Sequence, residues 1–470
     1  MKKFTKIVAT IGPASDSEEK IESLMQAGVN VFRFNMKHNT IDWHQERIAR
    51  VQTIADRLSL PIGILIDLQG PEIRLETPNK EDLYVKKGDQ VLVTSAVIPG
   101  VSSICVPQAV VFQSLAIGDS FLIDDGFIEG TVVAVGDNQC TISFVDDAVI
   151  KNRKGVNLPG KHIDLPSLIS DDLLKLDMAV KNKVDFVALS FTRTKEDIEI
   201  LKAEMDKRHV EAMIIAKIES QPAIDHLHEI IHAADGIMVA RGDLGIETPI
   251  EQLAYAQKQM ILQCRKERKP VIVATQMLQS MCESTRPTRA EATDVANAVY
   301  DFTDATMLSG ESASGLYPEK AVQVMTKIVS WNENKTSASW VDPIEEKSTD
   351  TIVHAILPMI TDTKKDHIDG IVVLTETGYT ARCIASCHPG VPILAISENK
   401  KTIETLTLSY GVFPIFMHYP DTGSITTTAD VMDELMKRGL IKTGDKIILI
   451  HGSTWKQPGL TNTVSLVNVE

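Results

Sequence analysis

Two short polar stretches close apolar runs in this chain. Lys217-Ile218-Glu219 follows Met213-Ile214-Ile215-Ala216, and Arg241-Gly242-Asp243-Leu244-Gly245 follows Gly236-Ile237-Met238-Val239-Ala240. Runs of that kind read as buried parallel strands. Two carboxylates and a lysine would then stand where neighbouring strands leave one sheet. Burying carboxylates there is costly unless a positive group joins them. An all-oxygen donor set suits a hard divalent cation, Mg²⁺ first, with Mn²⁺ as a substitute. Lys217 would hold a second positive charge over any oxyanion bound by the metal, which is phosphate or enolate chemistry in outline. The residues alone leave open a pair of strand-end salt bridges.

The elements that must position these groups form an alternating series. Apolar runs at residues 7–11, 29–34, 62–67, 184–189, 271–275 and 305–309 join the two above, separated by amphipathic helical stretches. Eight such βα units predict an α/β fold, a TIM (β/α)8 barrel. Arg33, Asn35, Asp67, Ser190, Lys217, Glu219, Asp243, Thr275 and Ser309 all fall at carboxyl ends of their runs, the face on which such barrels carry active sites. Between residues 71 and 165 the text changes to Gly-punctuated alternation, as in Thr131-Val132-Val133-Ala134-Val135-Gly136-Asp137. This predicts a small inserted β-barrel domain. It leaves after the third strand, so it is placed to act as a lid.

The expected boundaries are residues 1–70 and 166–335 for the two parts of the barrel, 71–165 for the lid, and 346–470 for a C-terminal domain. A polar stretch from about residue 330 to 351 reads as a linker, with part of it open to being helical. Beyond it, runs at 371–374, 393–396 and 446–450 with helical stretches between them predict an open α/β sheet. The turn holding Thr375, Thr377 and Thr380 leads into a helix. It reads as a phosphate site at a helix N-terminus or as an ordinary N-cap.

At 470 residues about three domains are expected, and a charged fraction of 24% against 43% hydrophobic is a globular balance. The formal charge of −15 argues against nucleic acid or an anionic membrane as main partner. Six scattered cysteines read as reduced thiols of a cytoplasmic protein. Met1-Lys2-Lys3-Phe4 leads directly into a strand-like run, which reads as no signal peptide, and no run approaches membrane-spanning length. His226, His228 and His232 sit at possible metal-ligand spacings but read as one exposed helix face. Cys383, Cys387 and His388 read as packing residues.

Longer motifs identify a family. TKIVATIGPAS at residues 5–15, GPEIR at 70–74, KGVNLPG at 154–160, MVARGDLG at 238–245, ATQML at 274–278, PTRAE at 287–291 and MLSGE at 307–311 resemble pyruvate kinase, in the family's domain order and over nearly the whole chain. The resemblance implies phosphoryl transfer from phosphoenolpyruvate to ADP, giving pyruvate and ATP in glycolysis. It implies Mg²⁺ on Glu219 and Asp243. It implies the substrate carboxylate on Thr275 and on main-chain N–H groups around Ala240, Arg241, Gly242 and Asp243. Arg33 would pair with the phosphoryl group, and Lys217 would bridge phosphoryl and enolate oxygens. Asn35, His38 and Arg74 would face the nucleotide. Thr275 and Ser309 would order a water relay that protonates the enolate. Asp124-Asp125-Gly126 reads as a turn in the lid, or, as the family places a lid carboxylate near the closed site, as that group; a homotetramer is also implied.

Four places depart from the family pattern. Asn35-Met36-Lys37-His38 replaces Asn-x-Ser-His, and Asp67-Leu68-Gln69-Gly70 replaces Asp-Thr-Lys-Gly. Two ligands of a monovalent-cation site on Asn35 and Asp67 are thus lost to Lys37 and Leu68. K⁺ is expected not to be required, the ammonium of Lys37 standing in for it. Thr194 and Ser314 stand where lysines are usual, the first on the nucleotide side. The lost lysine also leaves room for a catalytically slow, metabolite-sensing relative as the alternative function, and a Mg²⁺-dependent aldolase or lyase is a weaker third reading. Glu376 and Tyr379 occupy the turn where a basic residue is frequent. Fructose 1,6-bisphosphate is therefore expected not to activate strongly, with another phosphorylated effector left open.

Overall fold

The computed structural model describes residues 3–98, 101–361, 367–418, 425–452 and 461–470. Eight parallel strands close into a barrel: Lys6–Thr10, Val31–Asn35, Gly63–Asp67, Phe186–Leu189, Met213–Ile218, Gly236–Ala240, Val271–Ala274 and Ala305–Leu308. They are buried on both faces, which is why they read as continuous apolar runs rather than as alternation. Val8, Leu65, Ile215, Met238 and Ile272 fill the interior, while residues of the opposite parity pack against the surrounding helices.

The insertion after the third strand forms a six-stranded sheet. Its order is Val156–Asn157, Ser120–Ile123, Ile128–Gly136, Gln139–Phe144, Gln90–Thr94 and Ser103–Cys105. Leu83–Val85 and Ala148–Ile150 pair beside it. This unit has its own apolar cluster, including Val93, Phe121, Ile142 and Phe144.

The C-terminal sheet has five strands: Val412–Phe416, Ile393–Ser397, Gly370–Leu374, Lys446–Gly452 and Thr461–Asn468. The last runs antiparallel to its neighbour. The sheet's first strand carries Pro414, which weakens its sequence signal. This sheet docks on the amino-terminal end of the barrel. There Arg268 Nε pairs with Asp350 Oδ1 at 2.8 Å, and the amide of Tyr410 donates to Asp304 at 2.9 Å.

The expected linker is shorter than its polar composition suggests. Helix Pro318–Glu333 continues past residue 330 because Glu333 closes it onto the first strand. Its carboxylate accepts from the amides of Phe4 and Thr5, each at 2.9 Å. Helix Ser348–Thr361 then begins inside the stretch read as linker. Among the described residues no helix is long and apolar enough to cross a membrane.

Candidate active site

Lys217 and Glu219 lie two residues apart at the end of the fifth barrel strand, so their side chains share one face. Lys217 Nζ is 2.8 Å from Glu219 Oε1, 3.2 Å from Asp67 Oδ1 and 2.8 Å from Ser190 Oγ. Asp67 in turn fixes Arg33, whose Nε and Nη2 approach Oδ2 at 2.7 and 2.6 Å. Arg33 Nη1 donates to Thr10 Oγ1 at 3.0 Å. Alternating charges thus run across the ends of the second to fifth strands. Burial alone would lower the pKa of Lys217, but the carboxylates of Asp67 and Glu219 outweigh it and raise it above the ordinary lysine range. Burial would likewise raise Asp67, and Lys217 and Arg33 more than offset it.

Asp243 is the third residue of helix Arg241–Glu247, which starts where the sixth strand ends. Its carboxyl is pushed up to about 7, first by burial and then by the charge of Glu219. Two carboxylates in one cleft, each within the field of the other, carry an excess of negative charge that a cation would relieve. Their oxygens are the donors a hard ion takes, and Mg²⁺ is commonly held by one or two carboxylates with substrate oxygens and water. Among the described residues no cluster of three or more His, Cys, Asp or Glu side chains has ligating geometry, so the protein would supply two ligands. The residues fit Mg²⁺ on those terms. Glu219 is oriented by its other oxygen, which accepts from the amide of Phe191 at 2.7 Å. That amide is turned inward by a positive φ of 54° at Phe191.

Thr275 also sits at a positive φ, 67°. Its Oγ1 accepts from the amide of Gly242 at 2.7 Å and donates to the carbonyl of Ala274 at 2.7 Å. One main-chain donor expected at the substrate carboxylate is therefore turned onto Thr275. The Arg241 side chain points the other way, to Asp294 at 2.7 Å and to the carbonyls of Ala274 and Thr275. Ser309 caps a short helix, and its amide donates to the buried Glu311 at 2.8 Å.

One cleft gathers Arg33, Asn35, Lys37, Asp67, Leu68, Lys217, Glu219 and Asp243 beneath the lid residues Asp125, Asn157 and Lys161. His38, Arg74, Thr275 and Ser309 do not line it. Lys37 Nζ pairs with Glu72 Oε1 at 2.9 Å, and Glu72 Oε2 with Arg74 Nη2 at 2.8 Å. Arg74 Nη1 also donates to the carbonyl of Arg153 at 2.6 Å. Burial and the charges of Lys37, Arg33 and Arg74 lower the pKa of His38. Leu68 is buried, and its carbonyl accepts from Ser190 Oγ at 2.7 Å. Thr194 caps helix Lys195–Arg208 in a capping box with Asp197, a structural use for the residue that replaces a lysine.

The hydroxyl-rich turn satisfies itself. Thr375 Oγ1 accepts from the amide of Gly378 at 3.0 Å, and Thr380 Oγ1 lies 2.8 Å from Thr461 Oγ1. Arg382 Nη2 donates to the carbonyl of Thr377 at 3.2 Å. The helix N-cap is Gly378, at φ 77°, so no threonine caps it directly. The histidine series is broken: His226 separates helices Gln221–Asp225 and Leu227–Ala233. Cys383, Cys387 and His388 are buried in the C-terminal unit. The sequence reading missed Phe191, Asn157 and Glu247. Glu247 stands one turn from Asp243, a spacing that was legible once the helix was assumed.

Comparison with known proteins follows the same division of the chain. The pyruvate kinase barrel-domain family matches residues 2–322, and the pyruvate kinase alpha/beta-domain family matches 350–467. A pyruvate kinase of Staphylococcus epidermidis is 38% identical over 472 residues, covering 98% of this chain and 80% of the relative. That of Staphylococcus haemolyticus is 39% identical over 477 residues, with the same coverage. A crystal structure of a pyruvate kinase from Cryptosporidium parvum superposes with a TM-score of 0.92 at 31% identity, covering 100% of this chain and 96% of that one. With both family domains matched and relatives this similar along 98% of its length, the chain belongs to the pyruvate kinase family of phosphotransferases.

Proposed function

We propose that this protein transfers a phosphoryl group from phosphoenolpyruvate to ADP, giving pyruvate and ATP, in the cytoplasm. The observation that carries the reading is Lys217, charged and half-buried between Asp67 and Glu219 at the floor of the cleft. Phosphoryl transfer asks of a protein chiefly positioning and charge. Arg33, fixed by Asp67 and Thr10, takes the phosphoryl oxygens. Lys217 neutralises charge as it develops on the oxygen between phosphorus and the enol. The Thr275 hydroxyl, on leaving the Ala274 carbonyl, would orient the substrate carboxylate, and with Ser309 it would order the water that protonates the enolate carbon. Asn35 would meet the nucleotide from the cleft wall, and His38 and Arg74 from outside the cleft lining. Mg²⁺ on Glu219 and Asp243 would supply charge neutralisation on substrate oxygens, and K⁺ is not required because Lys37 carries its charge.

On this reading residues 1–70 and 166–335 form the catalytic barrel and 71–165 its lid. Residues 346–470 serve assembly, as a homotetramer, and effector binding. A lactate dehydrogenase-coupled assay with phosphoenolpyruvate, ADP and Mg²⁺ tests the activity. Turnover of about 1–10³ s⁻¹, the ordinary enzymatic range, supports a metabolic kinase, and turnover far below it supports the slow, sensing relative. No pyruvate under any metal would reject both.

A further inference from the structure

We propose that Asn157 and Glu247 are positioning residues whose hydrogen bond latches the lid over the cleft. Asn157 ends the lid strand Val156–Asn157, and its Nδ2 donates to Glu247 Oε1 at 2.8 Å. Glu247 is the last residue of helix Arg241–Glu247, four residues and one turn beyond Asp243. The lid touches the same helix a second time. Gly126, at φ 82° in the turn after Asp125, faces Ile246, and a Cβ there would lie in ordinary contact, 3.5 Å from Ile246 Cγ2. One helix therefore carries a candidate metal ligand, the backbone beside the substrate site and the seat of the lid.

The lid's remaining attachments are its two connecting segments. The amides of Gln69 and Gly70 donate to Asp172 at 3.0 and 3.2 Å, and Arg193 Nη1 donates to the carbonyl of Ile163 at 2.9 Å. Among the described residues, Asn157–Glu247 is the one hydrogen bond that joins the lid strands to the barrel. The lid is thus pinned at its connecting segments, where Glu72 also takes Lys37 Nζ at 2.9 Å, and among the described residues its strands are held across the cleft at a single polar point. A carboxylate drawn out of water needs a donor. Closure brings Glu247 that donor, and opening returns it to solvent. Closing the lid in this way excludes water from the charges at the strand ends.

This inference rests on the phosphoryl-transfer reading for its consequence but not for its test. Backbone amide exchange at residues 120–130 and 241–247 reports the latch without substrate, and steady-state rates report its effect. Asn157→Ala is expected to speed exchange in both segments at an unchanged melting temperature. It should lower kcat by about tenfold, the worth of one hydrogen bond to a charged group. Asn157→Asp should be worse, since two carboxylates then face each other. Adding Glu247→Gln to Asn157→Asp exchanges donor and acceptor. It should restore protection and bring kcat to within about threefold of the parent. Parental exchange in Asn157→Ala, or no rescue in the exchanged pair, would overturn the latch. A parent protein that makes no pyruvate would instead reject the functional reading, with the exchange result still deciding the contact.

Discussion

Glu219 offers one oxygen to Lys217 Nζ at 2.8 Å and the other to the Phe191 amide at 2.7 Å. It is thus held from both sides while Asp243, its partner carboxylate, is not. The lysine, the amide and a divalent cation all draw on the same two oxygens. Glu219→Gln keeps the shape but removes the charge. We expect Mn²⁺ affinity, read by electron paramagnetic resonance of the free ion, to fall by about 10–100-fold. Pyruvate formation should fall by about 10²–10³ at parental metal, with the circular dichroism melt little changed. Parental Mn²⁺ binding in the variant would remove Glu219 from the metal site.

A second outcome concerns the seam between barrel and C-terminal sheet. The side chains of Arg268 and Asp350 are 1% and 0% exposed and pair at 2.8 Å. Arg268 Nη1 also donates to Ser386 Oγ at 3.1 Å. Removing one partner leaves an uncompensated buried charge, which costs about 3–5 kcal/mol. Asp350→Ala should therefore lower the urea midpoint of the transition that includes the C-terminal unit by that equivalent. A shift inside about 0.5 kcal/mol, ordinary for surface substitutions, would show the pair to be energetically idle.

Much of this architecture was legible because buried parallel strands leave uninterrupted apolar runs, and the polar residue after each run marks the carboxyl end. Lys217, Glu219, Asp67 and Arg33 were readable on that ground alone. The positive φ at Phe191 and Thr275 was not, since neither residue type favours it. The hydrogen bond from Asn157 to Glu247 joins residues ninety apart in sequence, and no local pattern announces such a contact. Where helix Pro318–Glu333 ends was not legible because Glu333 is polar, yet its carboxylate is buried against the amides of Phe4 and Thr5. Strand Thr461–Asn468 was missed although it alternates, because its exposed face dilutes the apolar signal.

A third outcome follows from the pH dependence of the same seam. Glu404, on helix Lys400–Thr405, has its carboxyl pushed up to about 7 from an ordinary 4.5, first by burial and then by the Asp185 carboxylate. Lys401 joins the two elements, with Nζ 2.7 Å from Asp185 Oδ1. Between pH 4.5 and 7 the folded chain holds a proton here that the unfolded chain has released. This contribution to stability is full below about 4.5, declines as pH rises to about 7, and is gone above it. Glu404→Gln should melt with the parent at pH 4.5 and above it at pH 8. Calorimetric melts across that range test this, and a constant offset would contradict it.

The last outcome concerns Lys37. Its Nζ lies 2.9 Å from Glu72 Oε1, but Glu72 is shared with Arg74 at 2.8 Å. Two cations on one carboxylate leave a net charge of +1 (2 − 1) at this wall of the cleft. That charge reaches the chemistry: Lys37 helps to lower the pKa of His38 and opposes the rise at Asp243. Leu68 is buried beside Asp67 and offers no side-chain ligand to an ion. An ammonium resembles K⁺ in charge and size and donates to the same oxygens, so activity should need Mg²⁺ but no monovalent cation. Rates in tetramethylammonium buffer, then with K⁺ restored, measure this. A rise of about tenfold or more, worth about 1.4 kcal/mol, would show that an ion site survives beside Lys37. Lys37→Ser with Leu68→Thr restores two oxygen ligands and removes the built-in charge. That pair should be nearly inactive without K⁺ and recover with it. A double variant indifferent to K⁺ would place the ammonium outside the catalytic field and leave its bond to Glu72 as an ordinary salt bridge.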